Sequence, residues 1–129
     1  MNESNRKKML FSAACFNWLV ALALLAIPEM LFQLFHVTPL PTEPLFLHLF
    51  AVVVFVFGFG YYWAARDFVT NAPIVRLGMI GKLGVFVTGL LNALLGNVSW
   101  QILLLVSVDL LYAILFFIAL KATKRASFP

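Results

Sequence analysis

The chain of 129 residues is 64% hydrophobic and only 11% charged, with a mean hydropathy of +1.02, whereas a soluble domain averages about 45–50% apolar and about 25% charged residues. That composition excludes a water-soluble fold, which could not hide so much apolar surface. The net charge of +4 and pI near 9.6 do not indicate nucleic acid, because a nucleic-acid module gathers its Lys and Arg on one solvated face and here they flank apolar runs.

A helix needs about 20 mostly apolar residues to cross a hydrocarbon core of about 30 Å, and four runs qualify. The first extends from about Met9 to Ile27, where Pro28-Glu29 ends or kinks it by removing a backbone donor. Arg6, Lys7 and Lys8 ahead of it give the look of a signal peptide, but the run is as long as a full span, so it is read as a retained first helix. Cys15, the only cysteine, lies inside this run and is read as a small apolar residue.

The connection from Glu29 to Glu43 is long, and Met30, Leu31, Phe32, Leu34, Phe35 and Val37 make its first turns apolar. A short helix lying in the outer interface would bury that face. The second span runs from about Leu45 to Ala65 and leaves at Arg66-Asp67. The third runs from about Ile74 to Gly96, opened by Pro73, a residue that suits a helix start. The fourth runs from about Val98 to Leu120, so the Gly96-Asn97-Val98 turn makes spans three and four an antiparallel hairpin. The fold class read from this pattern is all-α, a single transmembrane domain over 1–129 built as a four-helix bundle.

Orientation follows from the positive-inside rule. Arg6, Lys7 and Lys8 precede span one, Arg66 and Arg76 flank the second connection, and Lys121, Lys124 and Arg125 follow span four. The other two connections contain no Lys or Arg. Both termini are therefore expected on the cytoplasmic side of the inner, plasma membrane.

Polar side chains inside a span are expensive and mark a functional site by default. Lys82, Asp109 and Asn17, with Tyr112 one turn below Asp109, lie about 10–16 Å from the cytoplasmic ends of their spans and share one layer. On the third span Gly78, Lys82, Val85, Gly89, Asn92 and Gly96 fall on one stripe. Small residues let helix backbones approach, so Gly78, Gly89, Asn92 and Gly96 are expected in a helix contact. Ala13, Asn17 and Ala21 on span one, and Ala51, Gly58 and Tyr61 or Tyr62 on span two, form matching stripes, while Tyr61, Tyr62, Trp63 and Trp100 lie at the levels of aromatic belts.

Two readings of the polar layer stay open. In one, Lys82 snorkels to the cytoplasm on its long stem and Asp109 is satisfied by Asn17, Tyr112 or the lysine as a bundle-specifying contact. In the other, Asp109 is a proton- or cation-coupled carboxylate, and Lys82 sets its state or contacts an anionic ligand. No cofactor is read from the sequence. His36 and His48 lack partners for a haem or metal site, Gly78 to Gly84 has no phosphate-loop spacing, and Asn97-Val98-Ser99, a glycosylation sequon, is pressed against the membrane.

The order Ala65-Arg66-Asp67, Gly81-Lys82 and Asp109-Leu110 resembles small bacterial four-helix membrane proteins of the DoxX-like kind. Some of those are subunits of quinone-linked oxidoreductases, although no cofactor motif here carries that activity over. The reading preferred from the residues is a transporter or channel-like homo-oligomer, with a non-enzymatic accessory subunit of a membrane complex, or a quinone- or lipid-handling subunit, as alternatives.

Overall fold

The computed structural model describes residues 1–127, with side chains through Thr123; Pro129 and the side chains of Lys124 and Arg125 lie outside the described residues. It contains α1 (Glu3–Ala26), α2 (Pro28–Leu34), α3 (Pro44–Arg66), α4 (Phe68–Leu94) and α5 (Ile102–Ser127). All except α2 are long and apolar enough to span a membrane.

Local chemistry sets the ends. Asn2 caps α1 by accepting the Asn5 N–H at 2.7 Å. Pro28 pushes the residue before it out of the helical region, so Ile27 takes φ −139° and ψ 50° and α1 ends where α2 begins. Pro73 does not open the third span as expected. The Asp67 side chain accepts the Thr70 N–H and starts α4 five residues earlier, leaving Pro73 inside the helix. The Thr70 hydroxyl and then its N–H hold the Asp67 carboxyl below the usual carboxylate range, so this cap is present at neutral pH and is lost only as acid protonates it. Because only Asp67 separates α3 from α4, the stretch from Asp67 to Ala72 is helix start rather than loop.

The connection between α4 and α5 is also longer than expected, from Leu95 to Gln101. Gly96 does not pack against a helix. It has a φ of +80°, a Cβ there would meet nothing within 4 Å, and the Asn97 N–H reaches back to the Asn92 carbonyl at 2.9 Å. That is a helix-terminating motif built on a left-handed residue. Asn92 is likewise local, bonding the Thr88 carbonyl and the Asn97 amide.

Arg6 donates to the Thr123 hydroxyl at 3.0 Å and lies over the Phe68 ring, which brings the start of α1, the late part of α5 and the turn between α3 and α4 to one end, here called the basic end. There Leu10, Ala13, Ala14, Ala64, Phe116 and Ala119 form a tight core. Alanines suit this role, since apolar burial drives little helix association in lipid and close van der Waals packing replaces it. The most extensive helix pairs are α1 with α3 and α4 with α5, and α1 barely touches α5.

At the far end α2 and its cap residue turn Leu31, Phe32 and Phe35 inward and leave Met30 and Leu34 exposed. Its tail is clasped to the connection between α4 and α5. Ser99 Oγ accepts the Thr38 N–H at 2.9 Å and donates to the His36 carbonyl at 3.2 Å, while the Ser99 N–H bonds the Thr38 carbonyl at 2.7 Å. Removing the hydroxyl in Ser99→Ala deletes two of these three bonds, each worth about 1 kcal/mol. We expect amide exchange at His36 to Thr38 to accelerate about tenfold or more, read by hydrogen-exchange mass spectrometry, with the exchange of α3 unchanged.

Candidate functional site

The basic half of the bundle is filled, whereas the far half encloses a cavity of about 500 Å³. Its walls are apolar, from Val20 and Leu24 on α1 to Leu105 on α5, with α2 as the roof. Asn17, Lys82 and Asp109, with the phenol of Tyr61, are its polar lining.

Each of the three arrives from a different helix. Lys82 on α4 is 5% exposed and does not snorkel: Nζ donates to Asp109 Oδ1 at 2.9 Å and to Asn17 Oδ1 at 3.1 Å. Asn17 on α1 is 4% exposed, and its Nδ2 donates to the Val54 carbonyl of α3 at 3.0 Å. A single amide thus ties α1 to α3 and α4, and the lysine carries the link on to α5.

Aromatic rings complete the ammonium's surroundings. Lys82 Nζ lies 5.4 Å from the Phe16 centroid, 5.5 Å from Tyr61 and 5.4 Å from Tyr112. A cation over a ring face is worth about 0.5–2 kcal/mol. Rings and oxygens together offset a desolvation cost that the ion pair alone would recover only in part.

Tyr112 enters the site through its ring and not through its hydroxyl. Ser12 Oγ donates to the Met9 carbonyl at 2.7 Å, so in the 2.9 Å contact between Ser12 and Tyr112 the tyrosine is the donor. Tyr61, placed by sequence at a belt level, is 2% exposed in the core and edge-on to Phe116 at 5.0 Å. Trp63 and Trp100 are exposed in the manner of belt residues.

Of the expected helix-contact residues, Gly78 lies against Tyr61 and Gly89 against Val106, where a Cβ would come within 3.0 Å of both valine methyls. Gly58 receives Trp18, whose indole nitrogen is buried without a hydrogen-bond partner. Phe16, Tyr61 and the Val54 carbonyl were not legible as site groups. The only signals were the position of Phe16 beside Asn17 and that of Tyr61 on the small-residue face of its helix. Among the described residues no three of His, Cys, Asp and Glu gather as a metal would require.

No family, no curated protein and no solved structure matches the chain.

Proposed function

We propose that the protein is a small multi-pass carrier of the inner membrane that binds a mainly apolar molecule in the central cavity and uses Asp109 as the ionisable group that controls binding. The observation that carries this reading is the cavity itself: about 500 Å³ of apolar wall meeting one buried ion pair. Ligand sites of about 300–1,000 Å³ are mostly apolar with a few placed polar groups. A water-filled ion path would line its walls with polar groups instead.

In this reading Lys82 and Asn17 hold the carboxylate in place, and a ligand's polar end approaches the pair from the cavity. The protomer suffices, whether or not it assembles as a homo-oligomer or with a partner membrane subunit.

A thermal-shift screen of uncharged, cationic and anionic lipophiles tests the binding step. A ligand at about 100 times its Kd stabilises by about 2.7 kcal/mol, so at least one class should raise the Tm of the wild type in a pH-dependent manner. No shift for any class across mildly acid to mildly alkaline pH would remove the carrier reading.

We further propose that the basic end faces the cytoplasm, as the basic residues require. Reporter fusions after the last residue should be active inside, and fusions near Thr42 should be active outside. An external C-terminus would sink this topology.

A further inference from the structure

A groove on the outside of the bundle lies beside the cavity. Close to the Asp67 turn α3 and α4 touch, with Ile74 near Gly60 and Tyr61 against Gly78. Farther along α4 its surface is uncovered at two glycines: a Cβ at Gly81 or Gly84 would meet no atom within 4 Å, and both residues are exposed. Gly81, Gly84 and Thr88, with Val85 and Phe50 of α3, line a groove of about 390 Å³. Phe50, Gly81 and Val85 are also in the wall of the central cavity. The groove and the cavity are therefore neighbours across those three residues, and in a spanning helix this level of α4 faces hydrocarbon.

We infer that the cavity is loaded sideways from the bilayer, between α3 and α4, by an uncharged amphiphile that ends in a hydroxyl or carbonyl. This inference rests on the cavity being a binding site, as proposed above. Lipid is the medium outside the groove, so the molecule that reaches it is one dissolved in lipid. The polar end follows from charge. Lys82 and Asp109 neutralise one another at 2.9 Å, and a ligand bringing its own charge would leave an uncompensated charge in an apolar chamber. What the pair still offers is hydrogen bonding: two of the three ammonium N–H groups are used, and Asp109 accepts through Oδ1 alone among the described residues. A hydroxyl can accept from the first group and donate to the second, and a carbonyl can accept from the first.

The test uses the full chain in phosphatidylcholine and phosphatidylglycerol vesicles. The probes are dodecanol, dodecylamine and dodecanoic acid, each with a diazirine on the chain, flash-photolysed at increasing times after mixing. The alcohol should label Phe32 competitively with plain dodecanol, and the amine and acid should label it about tenfold less, equivalent to about 1.4 kcal/mol. Gly84→Trp should slow labelling of Phe32 about tenfold or more, whereas Leu83→Trp, on the exposed neighbouring position, should not. Gly81→Leu, also placed in open space, serves as a second blocker should Gly84→Trp misfold.

Wild-type rates in both blocked variants would overturn side loading while leaving the cavity as a site. Equal labelling by all three probes would overturn the uncharged class. Absence of competable labelling in the wild type would overturn the cavity reading, and this inference with it.

Discussion

Asp109→Leu is expected to destabilise the folded bundle by about 3–5 kcal/mol, the usual cost of removing one partner of a buried ion pair, whereas Asp109→Asn should fold and lose its pH response. The difference lies in what each leaves for Lys82. With leucine, an ammonium only 5% exposed keeps a single oxygen, that of Asn17. With asparagine the carbonyl oxygen still accepts the lysine N–H in the same position, and only the titratable proton and the formal charge are gone.

A second substitution separates structure from function. Lys82→Met with Asp109→Leu replaces the pair by apolar side chains, and such exchanges are often neutral or stabilising. The double variant should therefore regain most of the stability lost by Asp109→Leu, a strong coupling in the double-mutant cycle, and still fail to respond to ligand or pH. Thermal unfolding in vesicles, with and without the lipophile found by screening, measures both. An Asp109→Asn protein with wild-type behaviour at every pH would reduce Asp109 to a structural contact.

The helices could be read from the sequence because the bilayer imposes length and composition on them. The polar trio could be read for a related reason: Asn17, Lys82 and Asp109 are too costly inside a span to be incidental, and spacing alone put them in one layer. Ion pairing was not decidable, because the stem of Lys82 is long enough to snorkel instead. Packing decides it, since Asn17 and Asp109 both present an oxygen on the inner side.

Errors arose where one residue type serves two purposes. Pro73 looks like a helix start, yet the Asp67 side chain begins α4 earlier, and a proline at the sixth helical position removes only one backbone donor. Gly96 shares the spacing of the packing stripe but ends the helix at positive φ. The cavity leaves no local trace. It depends on how whole helices and the folded-back α2 pack around Asn17, Lys82 and Asp109, which no short stretch of sequence encodes. Ser99 was visible only as part of a sequon, and its clasp spans 61 positions to Thr38.

The contact between Tyr61 and Gly78 holds α3 against α4, and it yields the second large effect. A Cβ on residue 78 would lie 2.5 Å from Tyr61 Oη and 2.6 Å from Cε1. The ring cannot easily yield, being 2% exposed and held edge-on by Phe116 at 5.0 Å. Gly78→Ala should therefore destabilise by about 1–3 kcal/mol as an overpacked contact, and Gly78→Leu should abolish folding or force α3 and α4 apart. Gly84→Ala is the matched control. It adds the same methyl to the same helix in open space and should be neutral or slightly stabilising, because alanine is the better helix former by about 0.8–1 kcal/mol. Removing the obstacle should rescue the first variant: Tyr61→Leu combined with Gly78→Ala should be more stable than the sum of the two single effects allows. Tyr61 also lies 5.5 Å from the Lys82 ammonium, so Gly78→Ala should weaken lipophile binding even in molecules that remain folded. Thermal unfolding of Gly78→Ala, Gly84→Ala, Tyr61→Leu and the Tyr61→Leu/Gly78→Ala double in one detergent checks the packing argument. Equal Tm values for Gly78→Ala and Gly84→Ala would mean that α3 and α4 do not meet at Tyr61.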